Sequence, residues 1–133
     1  MNDTEVRVSV PQHLATSDAK ALAVISARAA YEKKATDPKV LELGELIGIT
    51  DYFVVCSAAN DRQIKTIVEE IEKVAKASLG VKPRAVEGLA GASWVLIDFG
   101  DVVVHVMSEE SRGFYALERL WSDARFVDWE DVA

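Results

Sequence analysis

Hydrophobic positions along this chain change their spacing several times, and each change marks an element. The clearest run follows Asn60. Ile64, Ile67, Val68, Ile71, Val74 and Ala75 recur at i, i+3, i+4, i+7, i+10 and i+11, the spacing of one helix face. Asn60 suits the N-cap, and Gln63, three residues on, completes a capping-box-like pair. Glu69 with Lys73 and Glu72 with Lys76 stand four apart in the favourable order on the polar side. Gly80 is placed to end the helix, and Pro83 keeps it from resuming. An earlier helix is expected from Thr16-Ser17-Asp18, with Thr16 or Ser17 as cap and Asp18 at the positive end of the dipole. Its stripe is mostly small: Ala19, Leu22, Ala23, Ser26, Ala29 and Ala30. Lys33-Lys34 suit its negative end, and Asp37-Pro38 are expected to stop it.

Other segments read as strands. Residues 40–43 form a short one; 50–57 form a buried one, rich in β-branched and aromatic side chains with no clear polar face. Three more are expected at 84–87, 93–98 and 102–107, the last two joined by a hairpin turn at Phe99-Gly100-Asp101. Alternation puts Trp94, Leu96 and Asp98 on one side of their strand and Val95 and Ile97 on the other. His105 shares a side with Val103 and Met107. Ser108 is placed to cap a final helix, with Glu109 and Glu110 in its first turn. On that helix Phe114, Leu117 and Trp121 form a stripe expected to face the core, with Tyr115 and Glu118 pointing outward.

The order α-β-β-α-β-β-β-α predicts an α/β (α+β) fold with one mixed β-sheet flanked by helices. Helices on one sheet face would cover the core; periodicity leaves the other face open to either reading. The domain is expected over 15–121. Residues 1–14, weakly periodic and holding Pro11, read as a flexible arm, and 122–133 as an acidic tail without periodicity.

Composition narrows the function. A chain of 133 residues, half of them hydrophobic, fits one domain with a real core. Its net charge is −7 and no basic stripe is visible, which argues against direct gripping of phosphate backbones and for basic partners. Cys56 is the only cysteine, so no intrachain disulfide forms, and its apolar strand makes it an inert core thiol. The acidic, polar start and the lack of any apolar run near ~20 residues lead us to expect a soluble, cytoplasmic protein with no membrane partner.

Few residues advertise chemistry. Asp98 and Asp101 flank the hairpin turn, with Glu87 and His105 as possible neighbours; such carboxylates could hold magnesium or work as an acid–base pair. Aspartates are also common at turns simply because they bond to local amides. His105 has no second histidine at metal spacing, since His13 lies in the arm, and no glycine pattern matches a phosphate-binding loop. We therefore expect no catalytic residue, cofactor or metal. What remains is surface, with Trp94 as a core edge or a binding anchor.

Several words in series carry a resemblance. Thr50-Asp51-Tyr52-Phe53-Val54-Val55-Cys56-Ser57, Asn60-Asp61-Arg62-Gln63, Val86-Glu87-Gly88, Trp94-Val95-Leu96-Ile97-Asp98, Gly100-Asp101-Val102-Val103-Val104-His105-Val106 and Tyr115-Ala116-Leu117-Glu118-Arg119-Leu120-Trp121 resemble the ribosomal silencing factor (Iojap-like) family. The match runs from about Ala19 to Trp121. It implies a non-enzymatic factor that binds ribosomal protein fourteen of the large ribosomal subunit and blocks joining of the small one, damping translation when nutrients are scarce. It also implies a nucleotidyltransferase-like fold and a possible homodimer. The docking surface expected on this basis comprises Trp94, Asp98, Asp101, His105, Met107, Tyr115 and Glu118, with the acids meeting basic side chains of the partner. The rival readings are a metal-dependent nucleotidyl or phosphoryl transferase using Asp98, Asp101 and Glu87, and a homodimeric scaffold without ribosomal duty. Against the transferase, no Gly-Ser turn exists, and Asp98 and Asp101 are separated by two residues rather than one.

Overall fold

Helix spacing and strand alternation translate into elements largely where they are expected. The computed structural model describes residues 16–44, 46 and 48–130. The expected arm, 1–14, and the Thr16 and Ser17 side chains expected to cap the first helix lie outside the described residues. Helix α1 (Thr16–Glu32) buries Leu22 together with Ala19, Ala23, Ser26, Ala27 and Ala30, the last five being small groups that let neighbouring backbone approach closely. It ends before Asp37-Pro38. Those residues instead open strand β1 (Thr36–Glu42), which begins ahead of the expected 40–43. Pro38 is tolerated there because the ladder slips between Thr36 and Lys39, with Asp37 at φ 46°.

Strand β2 (Tyr52–Ala58) leads into helix α2 (Asp61–Leu79), and the cap has the expected chemistry. The Asn60 side chain accepts from the Gln63 amide at 2.9 Å, and Gln63 Oε1 accepts from the Ala59 amide at 3.0 Å. The Gln63 side-chain amide also donates to the Lys34 carbonyl at 2.9 Å, tying the start of α2 to the end of α1. Gly80 closes the helix at φ 68°, donating to the Ala75 and Lys76 carbonyls. Strands β3 (Ala85–Glu87), β4 (Trp94–Asp98) and β5 (Val102–Ser108) follow.

Two expectations fail beyond this point. The final helix is not continuous: Ala116 takes φ 50°, ψ 53° and splits it into α3 (Glu109–Tyr115) and α4 (Leu117–Leu120). The expected core stripe splits with it, because a bend rotates the residues on either side out of register. Leu117 is buried and Trp121 half-buried, but Phe114 is 80% exposed. The acidic tail, expected without periodicity, also carries a strand. Arg125–Val127 form β6 against β1, and Trp129 stacks on Tyr31 while its Nε1 donates to the Pro38 carbonyl at 2.8 Å.

The sheet runs β3-β4-β5-β2-β1-β6, with β2 and β5 parallel and every other pair antiparallel. A parallel pair needs a long crossover, and the stretch from α2 through β4 supplies it. Helices α1 and α2 cover one face, closing over Val54, Cys56, Val95, Ile97, Val104 and Val106. Ile64, Ile67, Val68 and Ile71 of α2 point into the same core. Each such buried aliphatic side chain contributes ~1.5–3 kcal/mol, so this layer supplies most of the stability. No helix among the described residues is long and apolar enough to cross a membrane.

Candidate docking face

The reverse of the sheet is covered only in part. Register fixes who stands beside whom: Phe53 pairs with Val103, Val55 and Leu96 flank His105, and Trp94 lies opposite Met107. The short helices α3 and α4 and the turn after them close over Leu41, Leu43, Val55 and Met107 with Leu117 and Ala124. The rest is left to aromatic rings, which touch in an unbroken file. Trp121 meets Phe53 at 6.4 Å between centroids, Phe53 meets His105 at 4.5 Å, and His105 meets Trp94 at 5.9 Å. Trp94 then meets Tyr115 at 4.7 Å, and Tyr115 meets Phe114 at 5.0 Å. Burial falls along this file, from His105 at 5% exposed to Tyr115 at 48% and Phe114 at 80%. Leu96 and Val103 lie half-buried beside it. Gly88 (φ 92°) helps seat Trp94, because the chain passes so close to the Trp94 carbonyl that a Cβ at Gly88 would collide with it.

His105 is the polar hinge of the file. Trp94 Nε1 donates to His105 Nδ1 at 3.0 Å, which puts the proton of the neutral ring on Nε2. Burial pushes the imidazole down to about 4, so it is uncharged at neutral pH. Nε2 is buried with no hydrogen-bond partner among the described residues. Met107, expected to offer apolar surface, is fully buried, across the strands from Trp94, which packs against its cluster.

The carboxylates occupy different places. Asp98 Oδ1 accepts from the Gly100 amide at 2.8 Å and Oδ2 from Arg84 Nε at 3.2 Å, so it closes the hairpin turn. Asp101 is only 6% exposed, and its carbonyl accepts from the Asp51 and Tyr52 amides at the start of β2. Glu118 Oε2 accepts from Arg112 Nη2 at 2.7 Å, a tie within the chain. Glu87 is exposed on β3, opposite Leu96. Among the described residues no three His, Cys, Asp or Glu side chains converge as metal ligands would. Cys56 is buried against the helices, and desolvation pushes its thiol up to about 12 despite the nearby Arg112 charge.

Of the seven surface residues expected, His105 and Tyr115 both meet Trp94, and Met107 lies across the strands from it; Asp98 bonds within its turn, the Asp101 carbonyl bonds to the start of β2, and Glu118 pairs with Arg112. Phe53, Phe114 and Trp121 complete the file and were not foreseen there. Phe53 carried a signal: on β2 it alternates out of phase with Tyr52, Val54 and Cys56.

A profile of the family described as "Ribosomal silencing factor during starvation" matches residues 16–133. The chain belongs to the ribosomal silencing factor family. The match includes the segment expected to be a tail outside the domain, in keeping with β6. A Bacillus subtilis ribosomal silencing factor is 38% identical over 109 residues, covering 82% of this chain and 92% of that protein. The mouse "Mitochondrial assembly of ribosomal large subunit protein 1" is 32% identical over 102 residues, covering 73% of this chain and 43% of that one. A crystal structure of a Chromobacterium violaceum protein superimposes with TM-score 0.72 at 30% identity, covering 82% of this chain and 88% of the other. The Bacillus subtilis relative is thus named as a silencing factor and the mouse relative as an assembly protein; neither name is that of an enzyme.

Proposed function

We propose that this chain docks on the large ribosomal subunit through ribosomal protein fourteen and holds the small subunit off by occupying its place. The observation that carries this reading is the unbroken file of aromatic rings on a half-covered sheet face, ending in exposed Tyr115 and Phe114. Exposed aromatics anchored on a rigid floor are the groups that dominate protein–protein affinity. Family membership supports a ribosomal partner, and the mouse relative's name points to the large subunit. The net charge of −7 favours a basic partner and speeds encounter with it. No substrate is turned over; at concentrations well above Kd the occupied subunit is unable to join.

The test is a subunit-joining assay with purified subunits, with and without saturating protein. Joined ribosomes are expected to fall and free large subunits to carry the protein on a gradient. Undiminished joining sinks the reading.

A further inference from the structure

The exposed end of the ring file sits on α3, a helix of about two turns followed by a left-handed bend, and something must hold it in place. Packing gives it little: α3 has no buried residue of its own, and Tyr115 leans on Trp94 from outside. Polar ties supply the rest, chief among them those of one guanidinium. Arg112 Nε and Nη2 both donate to Glu118 Oε2, at 3.1 and 2.7 Å, so the side chain spans the Ala116 bend from α3 to α4. Its Nη1 donates to the Thr36 carbonyl at 2.7 Å and Ser57 Oγ at 3.1 Å, and Nη2 donates to the Asp37 carbonyl at 2.7 Å. Successive carbonyls of a regular strand point to opposite neighbours. The slip in β1, with Asp37 at φ 46°, is what turns two of them toward one guanidinium. Glu109, at the other end of α3, is held by the same two strands through the Thr36 and Ser57 hydroxyls, which donate to it at 2.6 and 3.0 Å.

An arginine has five N–H donors, and these five bonds use all of them. The side chain is 11% exposed. Arg112 has nothing left to offer a partner. We propose that Arg112 is the positioning residue of the docking face: it never touches the ribosome, but locks the α3–α4 bend so that Tyr115 and Phe114 stand beside Trp94 before binding. The inference rests on the docking reading above and adds the device that preorganises its surface. Ordering these side chains in advance removes that entropy cost from association.

The experiment compares Arg112→Met and Arg112→Lys for affinity to purified large subunits, alone and in a Tyr115→Ala background. Arg112→Met is expected to weaken binding about tenfold or more in the wild-type background and less than about twofold when Tyr115 is already absent, because both changes remove the same preorganised contact. Arg112→Lys, which has three donors for five acceptor contacts, falls between. Binding by Arg112→Met within twofold of wild type overturns the proposal, and so does an equal loss in both backgrounds, the pattern of a general structural role. If Arg112→Met does not fold, Glu118→Gln takes its place, with about a threefold loss expected and none as the overturning result. Near-UV circular dichroism of the free protein separates the two readings. Should wild type fail to bind large subunits, the docking reading falls; loss of the Trp94–Tyr115 signal in Arg112→Met still supports the clamp, and its retention overturns it.

Discussion

Against α1 and α2 the sheet lays down Val54, Cys56, Val95, Ile97, Val104 and Val106, all buried, whereas the same strands offer Phe53, Trp94, Leu96, Val103 and His105 on the reverse. The first face is aliphatic, mostly β-branched, and closed by two long helices. The second is aromatic, keyed by one imidazole–indole hydrogen bond, and only half closed by two short helices held by Arg112. A sheet can thus give one side to stability and the other to recognition, since alternating residues are independent choices.

Substitutions should separate the faces. Val104→Asp places an unpaired carboxylate in the helix-covered core and is expected to cost more than ~4 kcal/mol, enough to leave the chain unfolded by circular dichroism. A folded Val104→Asp would show that this face is not the stability layer. The next effect in size is acid sensitivity. His105 falls from its ordinary 6.5 to about 4 on folding, so the unfolded chain binds the extra proton between those values. Its contribution to stability is fully present above about pH 6.5 and is lost as pH falls toward 4, a change on the order of 3 kcal/mol. Urea titrations at pH 7 and 4.5 should show it, and His105→Gln should flatten the difference from wild type.

Trp94→Ala comes next, with a binding loss of ~2 kcal/mol or more, about thirtyfold, measured on purified large subunits. Unchanged affinity in a folded variant would remove the docking face from consideration. Phe114→Ala sharpens the contrast most finely. At 80% exposure it should change stability by less than ~0.5 kcal/mol while weakening large-subunit binding by ~1 kcal/mol.

Period and capping made the helix-covered half readable from the chain alone. Ile64 through Ala75 could only be one face of a helix, and Val95 and Ile97 could only oppose Trp94 and Leu96. The aromatic half was harder because its order comes from contacts distant in sequence. Nothing near Ala116 announces a left-handed residue: alanine favours helix, and the bend exists because Arg112 reaches both Glu118 and the slipped carbonyls of Thr36 and Asp37. Phe114 was therefore placed in the core, when the bend carries it out. Likewise Arg125–Val127 is too short for alternation to register, and only the waiting edge of β1 makes it a strand. That Trp94 and His105 share a sheet face could be read from strand parity. The bonds of Asp98 and Glu118 could not be, because a carboxylate in sequence does not reveal whether its partner lies in the same chain.

The sheet order has a further consequence for how this protein is made. Tyr52 finds its central neighbour only at Val102, and Val40 its outer neighbour only at Val127. A nascent chain therefore leaves the exit tunnel with its middle strand unflanked on one side until Val102–Ser108 has emerged as well. The face built on that middle strand comes into being only after β4, β5 and α3 have followed it out, so a chain still short of them has no such surface to set against the machine producing it.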